Sequence, residues 1–210
     1  MPVEPAKDEN KKVMENIKDG LAYIRDKAVL FKTLVITLIV ATFAMNYAVL
    51  LPVFTKVVLH EEETGFGFLM SCMGIGSFFG ALFIAAISGH GPKKNILLSF
   101  PLFIAASLIL SGLVSTYFLM AVCLIIMGFF FVSFASIANT TLQINTKNEY
   151  RGRVMSIYTL VFSGSTPIGN LFAGIITDHF GPSAAYIACG VMIILPLLAL
   201  YIWKVNSETA

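Results

Sequence analysis

The sequence predicts an all-α membrane protein with six transmembrane helices, and three observations carry that prediction. Six long apolar runs follow one another, each of roughly the 20 residues needed to cross about 30 Å of hydrocarbon. Laid out as alternating spans, they leave 13 of the 14 Lys and Arg residues on one side. A composition 57% hydrophobic and 12% charged, with a mean hydropathy of +0.84, does not suit a water-soluble domain of 210 residues.

Residues 1–32 form a polar lead-in, where Val13, Ile17, Leu21, Ile24 and Ala28 recur at helical spacing among Lys, Glu, Asp and Arg. The pattern reads as an amphipathic helix at the cytoplasmic interface; a solvated linker with accidental periodicity is the alternative. The first 30 residues lack an apolar run followed by a small-residue cleavage site, so the first span is expected to act as its own insertion signal. That span, Thr33 to Phe54, carries Thr33, Thr37, Thr42, Asn46 and Tyr47. After it, Glu61, Glu62 and Glu63 precede Thr64, which can cap a helix beginning near Gly65, and the acidic run favours that positive helix end.

The second span, Gly65 to Ser88, places Cys72, Gly76 and Gly80 at intervals of four. The third is Ile96 to Val114; the fourth, Tyr117 to Ala138, ends on Ser133, Ser136 and then Asn139. The fifth, Val154 to Thr177, holds Tyr158, Ser163, Thr166 and Asn170, with Ser165, Gly169, Ala173 and Thr177 again at intervals of four. Small residues on one face let helix backbones approach closely, so Gly76, Gly80, Gly169 and Ala173 are expected at helix contacts. The sixth span, Ser183 to Trp203, has almost nothing polar between Tyr186 and Tyr201, and residues 204–210 form a short tail. Polar groups in a bilayer must meet one another or water. Spans one, four and five should therefore face a cavity or the bundle interior, and span six lipid or an apolar neighbour. A single Ser or Thr can instead bond the carbonyl one turn back. Asn46 and Asn170 cannot satisfy a whole amide that way, and cavity lining stays open for both.

One face holds Lys7, Lys11, Lys12, Lys18, Arg25, Lys27, Lys32, Lys93, Lys94, Lys147, Arg151, Arg153 and Lys204; the other holds Lys56 with His60, Glu61, Glu62, Glu63, Asp178 and His179. By the bias of short cytoplasmic loops toward Lys and Arg, both termini are expected to be cytoplasmic. The net charge of +2 is distributed as a topology signal and not as a nucleic-acid surface. Cys72, Cys123 and Cys189 sit in three separate spans without paired spacing, and read as packing residues and not as a disulfide or metal framework. No Asp, Glu, Lys, Arg or His falls deep inside a span. Proton relays and intramembrane metalloenzymes would announce themselves there. No cofactor, metal site or enzymatic constellation is expected.

Two loops are distinctive. One reads Ser88-Gly89-His90-Gly91-Pro92-Lys93-Lys94, a tight reversal carrying two basic residues. The other runs from Asn139 through Gln143 to Glu149-Tyr150-Arg151-Gly152-Arg153-Val154-Met155-Ser156, and is followed by Gly164, Pro167-Ile168-Gly169 and Gly174. Glu149 and Arg153 are four apart, a favourable pair if the helix continues through Gly152. At these residues the chain resembles the major facilitator superfamily, within it the drug- and siderophore-efflux type of enterobactin exporters and macrolide-efflux proteins. The match is to the C-terminal six-helix half of such a transporter. The loop at Gly89 to Lys94 resembles a degenerate copy of the superfamily's loop between helices two and three, with Ser88 and His90 near the places of the usual Asp and Arg, so the charge-relay role does not carry over.

The resemblance implies one half of a major facilitator fold, with a substrate cavity between two halves and alternating access by rocking. It implies export of a small amphipathic molecule, with Asn46, Tyr47, Asn139, Tyr158, Thr166 and Asn170 as polar contacts and Phe43, Phe134 and Phe162 as walls. Proton coupling is expected from it too, through residues of the other half. Glu149, Arg151, Arg153 and Ser156 are expected to form a latch to an acidic loop of that half. The partners implied are the bilayer, a complementary N-terminal half or a second copy of this chain, and the substrate. A separately encoded half, a truncated reading frame and a self-pairing half all stay open, as does a subunit that moves nothing.

Overall fold

The computed structural model describes the backbone of residues 7–61, 63–87 and 94–208, and the side chains of residues 17–61, 63–87 and 95–199. The loop at 88–93, Glu62 and the side chains of Val13, Lys94, Trp203 and Lys204 lie outside the described residues. Within them the chain forms α1 (Lys7–Asp26), α2 (Ala28–Ala44), α3 (Tyr47–Val57), α4 (Glu63–Ile87), α5 (Lys94–Leu113), α6 (Tyr117–Ile144), α7 (Asn148–Gly164), α8 (Thr166–Phe180) and α9 (Pro182–Glu208). Six stretches are long and apolar enough to cross a membrane, and two of them are composite. The first runs through α2 and α3 over Ala28–Val57, and the fifth through α7 and α8 over Asn148–Phe180.

Several helices outrun the apolar segments that announce them. The first span begins at Ala28 instead of Thr33, the fourth continues to Ile144, and the fifth begins at Asn148 instead of Val154. At 1.5 Å per residue the 33-residue fifth span covers roughly 50 Å, well beyond about 30 Å of hydrocarbon. Hydropathy marks the lipid slab, whereas backbone hydrogen bonding carries the helix on into the polar layers. Thr64 is not the cap of the second span. Helix α4 already starts at Glu63, and the Glu61 carboxylate folds back, with Oε2 3.2 Å from the point a Gly65 Cβ would occupy.

Helix α2 is the hub. It touches α1, α5, α6, α7, α8 and α9 and buries Leu30, Leu34, Ile36, Val40, Ala41 and Ala44, while Val29, Phe31 and Leu38 on its other side stay exposed. Two tight seams flank it. In the seam of α4 with α6, a side-chain carbon at Gly76 or Gly80 would collide with the carbonyls of Ile125 and Phe129, and one at Gly128 with the carbonyl of Met73. In the seam of α5 with α9, Gly112 and Gly190 are pressed in the same way against Ser183 and Ala105. The sixth span thus has an apolar neighbour in α5, and buries Ala185, Tyr186, Cys189 and Ile193.

Most hydroxyls do bond the carbonyl one turn back, as Thr33 does to Val29, Thr37 to Thr33 and Ser107 to Phe103, each at 2.8 Å. Ser133 differs, donating across the seam to the Gly80 carbonyl at 3.1 Å. Interhelical bonds of this kind are worth about 0.6 to 1.7 kcal/mol in membrane proteins. Ser133→Ala should therefore lower the melting temperature of the purified chain in detergent, whereas Ser71→Ala, whose hydroxyl serves only its own helix, should leave it unchanged. Equal melting temperatures for the two variants would show that the bond across the seam contributes nothing.

Candidate functional site

Both composite spans are interrupted near their middles, and the interruptions meet. In the fifth span the cause is Pro167, which lacks the N–H that would bond the Ser163 carbonyl, and the helix restarts at Thr166 after Ser165. In the first span the Asn46 side chain donates to the Phe43 carbonyl at 3.3 Å, a local bond that competes with the next backbone N–H and ends α2 at Ala44. A Cβ on Gly169 would collide with the Thr42 carbonyl and with Asn46 Oδ1. The start of α8 therefore lies directly on the α2–α3 break. Asn46 also donates to Cys189 Sγ on α9 at 3.5 Å, Thr166 Oγ1 donates to Met45 Sδ at 3.8 Å, and Phe43 meets Phe172 edge to face at 5.3 Å. Irregular backbone at membrane depth survives only where protein or a cavity encloses it. Here each break is enclosed by the other.

The expected contact residues separate into two groups. Asn46, only 1% exposed, is part of the helix crossing; its Oδ1 has no hydrogen-bond partner. Tyr47 opens α3 half-buried, Thr166 is half-buried beside Met45, and Asn170 is half-buried with a buried, unpartnered Oδ1. The second group lies between α6 and α7. Tyr158 donates to the Ala135 carbonyl at 3.4 Å and its ring lies 5.7 Å from Phe162, which lies 6.1 Å from Phe131. Asn139, half-buried, accepts from Gln143. Phe134, expected as a wall, is instead completely buried in the core. Its spacing from Phe131 and Ile137 puts it on the inner side of α6.

One face of the bundle is left uncovered. The fifth span has 17% of its most apolar stretch buried and the second 28%, against 56% for the first. On α7, Gly152, Ser156, Thr159 and Ser163 are exposed, and a side-chain carbon at Gly67, Gly74, Gly152 or Gly174 would meet nothing within 4 Å. Leu160, Ile168, Leu171 and Ile175 of the same span are exposed as well, so its uncovered surface mixes hydroxyls with large apolar side chains.

At the basic end, α1 docks on the start of α7. Gly20 is buried close to the Arg153 and Ile157 side chains, Ile24 is 3% exposed, and the Tyr23 and Tyr150 rings stack at 4.2 Å. The Tyr23 hydroxyl accepts from the Lys147 backbone N–H at 3.1 Å, which, with the Lys27 ammonium, holds its phenol below the usual tyrosine range. Lys27 donates to the Asn145 carbonyl at 3.2 Å and sits over the Tyr23 ring. Of the expected latch residues, Arg153 pairs with Asp19 at 3.3 Å and not with Glu149; Glu149, Arg151 and Ser156 are exposed. Sequence reasoning missed this docking and the packing glycines Gly112, Gly128 and Gly190. Gly20 was its visible signal, since a glycine inside an otherwise good helix marks a close approach. Among the described residues no three His, Cys, Asp or Glu side chains gather as metal ligands.

Six spans long and apolar enough to cross a membrane, two of them interrupted, make this a multi-pass membrane protein. The chain belongs to the family described as transmembrane secretion effector, matched over residues 2–210, a family of major facilitator efflux transporters and not of enzymes. It is 27% identical to the multidrug efflux pump Tap of Mycolicibacterium fortuitum over 93% of this chain and 48% of that protein. It is 24% identical to macrolide efflux protein A of Streptococcus pyogenes, over 86% of this chain and 45% of that one. With the staphyloferrin A transporter of Staphylococcus aureus it shares 26% identity, over 79% and 41%. The chain thus spans about half the length of the curated relatives it matches.

The α1 docking can be apportioned. The Arg153–Asp19 pair, with side chains 37% and 61% exposed, is worth at most about 1 kcal/mol, while Tyr23 brings both a stacked ring and a hydrogen bond to the same contact. Tyr23→Ala should therefore speed proteolytic cleavage within α1 several-fold, and Arg153→Ala should hardly alter it. The reverse order would place the docking energy in the ion pair.

Proposed function

We propose that this chain acts as one half of a secondary transporter exporting small amphipathic, drug- or siderophore-like molecules by alternating access. The observation that carries the reading is the fifth span, which combines the exposed Ser156, Thr159 and Ser163 with the least burial of any span. Such a surface needs a complementary six-helix half and a wet cavity between the two. The partner is either an N-terminal half, on the same or another polypeptide, or a second copy of this chain. In this arrangement Tyr47, Asn139, Tyr158, Thr166 and Asn170 contact the substrate and Phe43 and Phe162 shape the walls, while Asn46 fixes the break behind them. Asn170 is half-buried near the start of α8 and its Oδ1 has no hydrogen-bond partner among the described residues.

Both termini face the cytoplasm in this reading, because 13 of 14 Lys and Arg residues fall on their side. The exposed Arg151 and Ser156 at the start of α7 receive an acidic loop of the other half, with Glu149 at its rim and Arg153 shared with Asp19. Proton coupling belongs to the other half in this reading, because no Asp, Glu, Lys, Arg or His lies deep in these spans. A second reading, a subunit or remnant that inserts and associates but moves nothing, fits the glycine-lined seams equally well.

Efflux from cells lacking their own pumps separates the two readings, with the chain expressed alone and together with a complementary half. The transporter reading predicts efflux of a lipophilic dye or macrolide from the pair. It also predicts a loss of roughly three- to tenfold in apparent affinity in Asn170→Ala, the value of one hydrogen bond of about 0.5 to 1.5 kcal/mol, with unchanged membrane insertion. No efflux from the chain in any pairing would favour the inert reading.

A further inference from the structure

Over residues 17–26 of α1 the charges are segregated by helical register. Lys18 and Arg25 are two turns apart with Leu21 between them, and all three are exposed, Leu21 at 50%. Asp19 and Asp26 repeat the same seven-residue interval one position along, on the flank where Asp19 meets Arg153. A third side, with Gly20, Tyr23 and Ile24, is taken up by α7. Helix α1 thus has a docked side, an acidic flank and a basic-apolar flank.

Its place along the membrane is fixed by the chain. A single residue, Lys27, separates α1 from α2, the start of the first span, so α1 cannot leave the membrane surface. Val29 and Phe31, at the start of α2, are 51% and 49% exposed. Lys18 and Arg25 make no hydrogen bond or ion pair among the described residues. We propose that the Lys18/Leu21/Arg25 flank binds the anionic phospholipid headgroups of the adjoining leaflet, and that membrane charge thereby clamps α1 onto the start of α7. Leu21 enters the headgroup boundary and the two cations pair with lipid phosphates, while Asp26 stays toward water. Each basic group near an anionic surface multiplies attraction by about fivefold, and the effect fades within a Debye length. The proposal goes beyond the export reading and does not depend on whether the half transports anything.

The test is amide hydrogen exchange over residues 17–26 of the whole chain, in nanodiscs of phosphatidylcholine alone or with about one third phosphatidylglycerol. Exchange should slow by at least about fivefold in the anionic discs and return to the neutral rate near 1 M salt, where the Debye length is about 3 Å. The slowing should vanish in a Lys18→Gln, Arg25→Gln double variant and persist in Lys18→Arg, Arg25→Lys, with α5 and α9 exchanging as in the parent. Equal exchange of the parent chain in the two lipids would overturn the proposal. So would slowing that survives the Gln variant, or slowing in neutral discs on adding inorganic phosphate alone.

Discussion

The first and fifth spans approach so closely at Gly169 that no side chain fits between it and the Thr42 carbonyl, and the bundle is organised around that approach. Both spans are broken there, one by Pro167 and the other by the Asn46 amide turned onto the Phe43 carbonyl. A break in lipid would leave backbone groups without partners at several kcal/mol each. Setting one break against the other hides both, and the contact extends to α9 through the Asn46–Cys189 bond. Helix α2, which leads into the crossing, then becomes the hub with α6, α7, α8 and α9 arranged around it.

Helices α5 and α9 close on each other through Gly112 and Gly190, while Leu102, Phe103, Leu110 and Leu195 stay exposed along their outer sides. The hydroxyls of Ser156, Thr159 and Ser163 on α7 and the open glycines Gly67, Gly74 and Gly152 are exposed too.

The six spans and the sorting of basic residues were legible in the sequence because both follow from the bilayer's thickness and field, which leave long, one-sided signals. Helix ends were less legible, since Ala28 and Asn148 stand where hydropathy has already faded. The small-residue repeats at Gly76 and Gly169 pointed to close approaches but not to their partners, and Gly112, Gly128 and Gly190 belong to no repeat within their own helices. Neither break was legible: Pro167 shares the spans with Pro52, Pro101 and Pro196, which sit inside unbroken helices, and an asparagine such as Asn46 reads equally as a cavity residue. Phe134 shows the same limit: an aromatic beside polar residues on α6 is placed inward or outward by the partner helices, and its own sequence is silent on the choice. The docking of α1 depends on Tyr23 meeting Tyr150 across more than a hundred residues, which local periodicity cannot encode.

The most direct test of the crossing is to compare the melting temperatures of Gly169→Ala and Gly174→Ala in the purified chain. Alanine is intrinsically favoured over glycine in a helix by about 0.5 to 1 kcal/mol, so Gly174→Ala, where the methyl group meets nothing within 4 Å, should melt no lower than the parent. Gly169→Ala must push Thr42 and Asn46 away and should melt clearly lower, by an overpacking cost of about 1 to 3 kcal/mol. If Gly169→Ala were as stable as the parent, the two broken spans would not meet at this point and the crossing would not be what holds the half together.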